Sequence, residues 1–152
     1  MRLAATRPAN VSPLQVKTGN PAHKHVSGWG PLYTPFNEVM ETSDVITLHS
    51  PLVAATRNMI GYAEFQQMKR KPIIVNTSRG GIVDEAALAA ALQSGRLGGA
   101  ALDVFEAEPL APANPFAGCP NLLLTPHIAG VSAEANERVS LLIAERVLEA
   151  LR

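Results

Sequence analysis

The chain has 152 residues, which suits one domain of ordinary size and does not comfortably fit two. Apolar residues make up 47% and charged residues 17%, which excludes a disordered chain and fits a packed core. Lys plus Arg and Asp plus Glu both number 13, so the net charge is zero and nothing indicates nucleic acid or a membrane surface as a partner.

The single cysteine, Cys119, excludes an internal disulfide and a multi-cysteine metal cluster, and it suits a reducing compartment. No stretch is long and apolar enough for a transmembrane helix or a signal peptide. We therefore expect a cytoplasmic globular protein without a metal site.

Residues 1–35 carry little periodic pattern. Met1–Ala5 is typical of a strand, and Pro and Gly then recur every few residues between Pro8 and Pro35, which predicts irregular structure. An apolar strand at residue 1 also suggests that an element is missing upstream.

Strands and helices alternate after Ser43. Short apolar or β-branched runs predict strands at 44–49, 72–76, 98–103 and 121–124. Helix formers predict helices over 62–70, from an Asp84 N-cap to Gly95, and from a Ser132 N-cap onward. The last helix has an apolar stripe of Val139, Leu142, Ile143, Val147 and Leu151. This order predicts an α/β domain with a mostly parallel sheet and flanking helices.

Side chains that can bind an anion or transfer a proton follow three of these strands. Arg79 follows the strand at 72–76, Asp103 and Glu108 follow the next, and His127 follows the last. Parallel strands bring their carboxyl ends to one edge, where open α/β sheets bind ligands. An arginine fork holds a carboxylate, and a histidine oriented by a neighbouring carboxylate exchanges a proton near neutral pH.

Each of these residues also has a structural alternative. The alternatives are a cap or solvated charge for Arg79, a strand cap for Asp103, solvated loop charges for Glu106 and Glu108, and a structural histidine for His127. His49, at a strand end, either lines the cleft or packs. The joint pattern is more specific than any one member.

Four segments carry a resemblance to a known family, the D-isomer-specific 2-hydroxyacid dehydrogenases. They are Ser43–Leu52, Val75–Glu85, Ala101–Leu110 and Thr125–Gly130, in the family's order and spacing. The resemblance covers residues 36–152 strongly and 1–35 loosely. It implies a single partial dinucleotide-binding domain over residues 1–152, with an incomplete Rossmann-like sheet.

The resemblance also implies a reaction and residue roles. The family transfers hydride between NAD or NADP and a 2-keto or D-2-hydroxy acid of the glyoxylate or hydroxypyruvate type. Arg79 would bind the substrate carboxylate, His127 would be the general acid with Glu108 as its partner, and Asp103 would hold the nicotinamide side of the cofactor. The residues expected along the cofactor cleft, beside Arg79, Asp103 and His127, are Pro51, Thr56, Thr77, Ser78 and Gly130. A homo-oligomer is a further expectation.

The sequence departs from the family in two respects. Family members are roughly twice as long, and they carry a G-x-G-x-x-G turn that cradles the cofactor pyrophosphate. The nearest match, Gly28–Tyr33, fails at its last position. Met1–Ala5 looks like the family's second cofactor-domain strand, so we expect the C-terminal half of a dehydrogenase, with a sheet edge left open by the missing first strand. We expect negligible activity from the isolated chain.

Two other functional classes stay open from the sequence. One is a non-catalytic truncated remnant that associates through its exposed edge, and the other is a plain nucleotide-binding module. In the second, Arg79, Glu108 and His127 would have no role.

Cofactor choice depends on the residues that follow the first strand. If Met1–Ala5 is the second strand of a Rossmann fold, the residues at its carboxyl end contact the adenosine ribose of the cofactor. No carboxylate is present there, and Arg7 offers a fork for a 2′-phosphate. This predicts NADP over NAD, the alternative being that Arg7 is an ordinary solvated charge.

Overall fold

A computed structural model describes the backbone of residues 2–6, 15–18 and 32–151, and the side chains from residue 34 to residue 151. One seven-stranded sheet has the order β3-β2-β1-β4-β5-β6-β7. Its strands are β1 Arg2–Thr6, β2 Gln15–Thr18, β3 Leu32–Tyr33, β4 Val45–Leu48, β5 Ile73–Asn76, β6 Gly99–Leu102 and β7 Leu122–Leu124. The helices are α1 Phe36–Thr42, α2 Tyr62–Gln67, α3 Glu85–Gln93 and α4 Ala133–Ala150.

The parallel half of the sheet confirms the predicted α/β architecture. Strands β4, β5, β6 and β7 pair in parallel, with Ile46 opposite Ile74 and Ile74 opposite Ala100. Each of these side chains is at most 4% exposed, whereas the neighbouring Ile73 on β5 is 43% exposed, so the described part of the sheet is buried on one face and more open on the other. The carboxyl ends of all four strands therefore meet at one edge.

The N-terminal strands differ from the sequence expectation. The segment expected to be irregular contains β2 and β3, and β1, β2 and β3 pair antiparallel. Helix α1 was not predicted either. These elements have seven residues or fewer and lie between prolines and glycines, so they are too short for a recognisable period.

Strand β1 also lies in a different place from the one expected. It pairs in parallel with β4, with Leu3 opposite Val45. In the doubly wound order 3-2-1-4 the first strand, not the second, neighbours the fourth. The expectation that β1 is a second strand, with an open place beside β4, therefore does not match the structure.

Both predicted helix caps are confirmed. The Asp84 side chain accepts a hydrogen bond from the Ala87 amide, and Ser132 accepts one from the Ala135 amide. Helix α3 ends at Gln93 with Ser94 as its C-cap, and the predicted terminator Gly95 follows with a φ of +66°. These caps set where α3 and α4 begin and where α3 ends.

The core lies between the sheet and helices α1, α2 and α3, and it includes Met40, Ile46, Phe65, Ile74 and Leu88. Helix α4 is different, because none of its residues is buried. The predicted apolar stripe exists, but its large side chains are 51–79% exposed, so it is not covered by any of the described residues. Among the helices of the described part, none is both long enough and apolar enough to cross a membrane.

Candidate active site

The turn after β5 is built by Asn76, a buried residue at the strand's last position. Its Oδ1 accepts from the Ser78 amide (3.1 Å) and the Ser78 hydroxyl (2.9 Å), and its Nδ2 donates to the Arg79 carbonyl (3.0 Å). An asparagine that bonds the backbone two residues on forms an Asx-turn. Asn76 thus places Ser78 and Arg79 at the sheet edge.

Arg79 lies exposed at this edge. Its guanidinium donates to the Ser78 carbonyl (2.6 Å), and it forms no ion pair with any residue between 34 and 151. Because that bond occupies one of its five N–H groups, the fork retains donors for an anion. Within residues 34–151 the Arg79 side chain makes no hydrogen bond to a helix carbonyl or to His127.

Glu108 and His127 form a direct pair. Glu108 Oε2 lies 2.7 Å from His127 Nδ1, and Glu108 Oε1 accepts from the Phe105 amide at 2.9 Å. The bond from His127, followed by that from Phe105, holds the pKa of Glu108 below its ordinary value. Glu108 is therefore ionised at neutral pH and accepts from Nδ1–H, which leaves Nε2 for a reacting partner.

Asp103 is the buried carboxylate of the site, at 3% exposure. Its Oδ1 accepts from the Thr125 hydroxyl (2.6 Å) and the Ile128 amide (2.8 Å), and its Oδ2 accepts from the Ala129 amide (2.8 Å). Burial raises the pKa of Asp103, but these hydrogen bonds outweigh burial and hold it below its ordinary value. The three bonds fasten the loop that carries His127.

The Arg79 turn touches the loop that carries Glu108. A Cβ on Gly80 would lie 1.8 Å from the Phe105 carbonyl oxygen, so only glycine fits there. The Glu106 amide in turn donates to Glu85 Oε1 at 2.6 Å, and burial raises the pKa of Glu85. Glu106 itself is exposed and lies 3.6 Å from Arg57, as expected of a loop charge.

The remaining predicted cleft residues divide into exposed and buried ones. Pro51, Thr77 and Gly130 are exposed, and a Cβ on Gly130 would meet nothing within 4 Å. Thr56 is 1% exposed, and its hydroxyl donates to the Pro51 carbonyl at 2.7 Å, so its side chain shapes the loop. Arg7 lies outside the described residues.

A cavity of about 340 Å³ opens beside the pair. Glu108, Thr125 and His127 are its polar lining, and the apolar lining is Phe105, Pro109, Leu110, Leu124 and Pro126. No group of three or more potential metal ligands occurs among the side chains the structure describes.

Glu108 and His127 are thus bonded to each other, and Asp103 bonds the loop that carries His127. Arg79 stands at the same edge without a hydrogen bond to any of the three among the described residues. The sequence reading missed Asn76 and Glu85 as organising residues. An Asx-turn signal after a strand could have found Asn76, whereas no local pattern pairs Glu85 with the Glu106 amide.

Comparison with known proteins decides the family. The family model described as "D-isomer specific 2-hydroxyacid dehydrogenase, NAD binding domain" matches residues 8–129. This chain belongs to the D-isomer-specific 2-hydroxyacid dehydrogenase family. The match begins before residue 36, so the family pattern extends further toward the N-terminus than the four segments quoted above.

Curated relatives of the dehydrogenase domain have different names. It is 44% identical to the glyoxylate reductase of Korarchaeum cryptofilum over 116 residues, which is 76% of this chain and 35% of the relative. It is 48% identical to the (S)-sulfolactate dehydrogenase of Chromohalobacter salexigens over 113 residues, 74% of this chain and 37% of the relative. The chain therefore spans about a third of the relatives that it matches.

Solved structures share the fold. A glyoxylate reductase from Paecilomyes thermophila superposes with a TM-score of 0.75 at 37% identity, over 81% of this chain and 37% of that chain. A D-lactate dehydrogenase from Aquifex aeolicus, complexed with NAD and lactic acid, gives 0.70 at 33% identity over 80% and 41%. A family member from Xanthobacter autotrophicus Py2, in complex with NADPH, gives 0.60 at 36% identity over 71% and 45%. Neighbours of this domain thus bind either cofactor.

Proposed function

We propose that this site carries the proton-transfer and carboxylate-binding groups for reduction of a 2-oxo acid, or oxidation of the matching D-2-hydroxy acid, with NAD(P). The observation that carries the proposal is the Glu108–His127 pair, 2.7 Å apart, at the edge where Arg79 stands without an ion-pair partner among residues 34–151. The chain's membership of the family adds the reaction class.

The pair performs the proton step. A carboxylate accepting from Nδ1 fixes the ring and stabilises the imidazolium, so Nε2–H protonates the substrate oxygen as the carbonyl is reduced. In the oxidation direction the neutral ring takes the hydroxyl proton back at Nε2. Glu108 stays ionised in both directions, which its lowered pKa supports.

Arg79 binds the acid. A guanidinium holds a carboxylate through two parallel N–H bonds, which fixes the substrate's orientation as well as its charge. The Asn76 turn presents the fork at the sheet edge, and the Gly80 contact keeps that turn beside the Glu108 loop.

The residues present fit one end of a dinucleotide. Pro51, Thr77 and Gly130 expose their surface at the carboxyl edge, and the open space at Gly130 admits a ring close to the backbone. The nicotinamide would be bordered by Ser78, Arg79, Asp103 and His127. The buried Thr56 would shape the loop that carries Pro51. When bound, NAD(P)H supplies the hydride. The G-x-G-x-x-G turn for the pyrophosphate does not occur in the sequence.

The preference for NADP over NAD depended on Arg7 following a second strand, and the pairing of β1 with β4 removes that basis, so the proposed cofactor is NAD or NADP. The cytoplasmic location, the homo-oligomer and the acid's identity stay predictions, with glyoxylate and hydroxypyruvate as first candidates. The isolated chain should oxidise NADH and NADPH negligibly with these acids, because it spans a third of its relatives and positioning contributes up to about 7–11 kcal/mol of barrier lowering.

A second candidate, an association module without turnover, is favoured by the position of β7 at one end of the described sheet and by the open sheet face there, where Leu123 is 62% exposed. An association module should self-associate in sedimentation experiments, and a chimeric enzyme that contains residues 36–129 should then be inactive.

A chimera tests the proposal. Residues 36–129 replace the matching segment of the Korarchaeum glyoxylate reductase, and kcat and KM are measured with glyoxylate and both cofactors. Glu108→Gln should lower kcat about 10²-fold, and the control Glu106→Gln, an exposed carboxylate two residues away, should not. Arg79→Lys should raise the KM for glyoxylate about tenfold or more.

An inactive chimera with a native circular dichroism spectrum would favour the association module. Equal losses in the Glu106 and Glu108 variants would remove the proton role of the pair.

A further inference from the structure

We infer that Asp103 is the positioning residue of the acid–base pair: through the Ile128 and Ala129 amides it holds His127 in the conformation that meets Glu108. This inference rests on the proposed function. It assigns Asp103 a role that acts through another residue, beside the cofactor contact that the family resemblance implies.

The backbone of His127 needs such a support. Its φ is +55°, in the left-handed region that residues other than glycine seldom adopt. Conformations of this kind are unfavourable and persist where the surroundings hold them. The three residues that follow are exposed, so a packed core does not hold this backbone.

Asp103 supplies the support from both sides of the histidine. The Thr125 hydroxyl lies two residues before His127, and the Ile128 and Ala129 amides are the two that follow it. All three donate to one carboxylate that is 3% exposed and anchored at the end of β6. A buried carboxylate with three donors is a rigid clamp, because moving the loop would leave a charge buried without partners.

The clamp needs a carboxylate and not merely a polar side chain. Oδ1 accepts two hydrogen bonds and Oδ2 accepts a third. If an NH₂ group replaced either oxygen, it would face a hydrogen-bond donor and the bond would be lost. The same loop after β6 carries Glu108, which holds the ring while Asp103 holds the backbone. One loop therefore sets both the position and the tautomer of the proton donor.

The experiment uses the whole 152-residue chain and needs no turnover. Amide hydrogen exchange is followed at Ile128, Ala129 and Gly130, and ¹⁵N NMR reports which nitrogen of the His127 ring carries the proton. In the unsubstituted chain the Ile128 and Ala129 amides should exchange at least tenfold more slowly than that of Gly130, which makes no hydrogen bond among the described residues.

Three variants separate the clamp from general stability. Asp103→Asn puts an NH₂ group against the Ala129 N–H group, so the Ala129 amide should lose its protection from hydrogen exchange. The ¹⁵N signal that shows a proton on His127 Nδ1, called here the Nδ1–H signature, should be lost as well. Thr125→Val leaves both amide bonds in place, so the signature should remain. Asp84→Asn removes a carboxylate at the N-cap of α3 and should change neither readout.

Equal exchange of the three amides in the unsubstituted chain would overturn the inference, and this holds even if Asp103→Asn does not fold. An unchanged ring in a folded Asp103→Asn variant, or loss of the signature in Thr125→Val as well, would also overturn it. Because these readouts concern the resting protein, a failed chimera assay would contradict the proposed function and leave this result standing.

Discussion

Replacing Gly80 by alanine should destabilise the protein by about 3 kcal/mol, because the added Cβ would lie 1.8 Å from the Phe105 carbonyl oxygen and 2.6 Å from the Glu106 nitrogen. Ordinary contact begins near 3.4 Å, so the two loops must separate by about 1.6 Å. The obstacle is backbone on both sides, so no side chain can rotate away.

The magnitude follows from what that separation breaks. The Phe105 amide is bonded to Glu108 (2.9 Å) and the Glu106 amide to Glu85 (2.6 Å). Hydrogen bonds to charged groups contribute about 1.5–3 kcal/mol each, and overpacking alone costs about 1–3 kcal/mol. The lower unfolded-state entropy of alanine returns about 0.4–1 kcal/mol, so the low ends of these ranges leave a net loss of about 3 kcal/mol.

Urea unfolding at pH 7 measures this loss as a fall in midpoint at constant m-value. Gly130→Ala is the matched control, since its Cβ would meet nothing within 4 Å, and it should stay within about 0.5 kcal/mol of the parent. A Gly80→Ala variant as stable as the Gly130→Ala control would refute the close approach of the Arg79 and Glu108 loops.

The remaining predictions concern stability and use the same urea assay. Glu108 has a lowered pKa when folded, so its contribution is present above its unfolded pKa near 4.3 and is lost as pH falls through the folded pKa. The stability difference between the parent and Glu108→Gln should therefore shrink from pH 6 to pH 3, and a constant difference would contradict the ionised pair. Asn76→Ala should cost about 2–3 kcal/mol, and Asn76→Asp at least as much, because it buries a charge and sets an acceptor against the Arg79 carbonyl oxygen; an Asn76→Asp variant as stable as the parent would mean that the bond to the Arg79 carbonyl contributes nothing. Ending the chain after Val131 should leave the urea midpoint unchanged, because α4 buries none of its residues; a lower midpoint would reveal contacts of α4 with the sheet.

The parallel half of the fold was predictable because its signals are local. Runs such as Ile73–Asn76 are continuous and apolar, and Asp84 and Gly95 mark both ends of a helix through their own chemistry. The order of strand and polar residue along the chain was enough to place Arg79, Glu108 and His127 at one edge.

The rest depended on pairing between distant segments. Strands β2 and β3 are too short to show a period, and the parallel pairing of β1 with β4 joins segments about 40 residues apart. A helix with an apolar stripe normally faces a core, so the exposure of α4 could not be predicted from its own sequence. The role of Asp103 was equally hidden, because its amide donors lie on the next strand's loop.

The central claim is that His127 transfers the proton in reduction of a 2-oxo acid. The most direct measurement is kcat/KM for glyoxylate in the chimera with and without His127→Gln, both proteins having the same urea midpoint. The account predicts a fall of about 10²–10⁴-fold, the contribution usual for a positioned general acid. Activity within threefold of the unsubstituted chimera would contradict it.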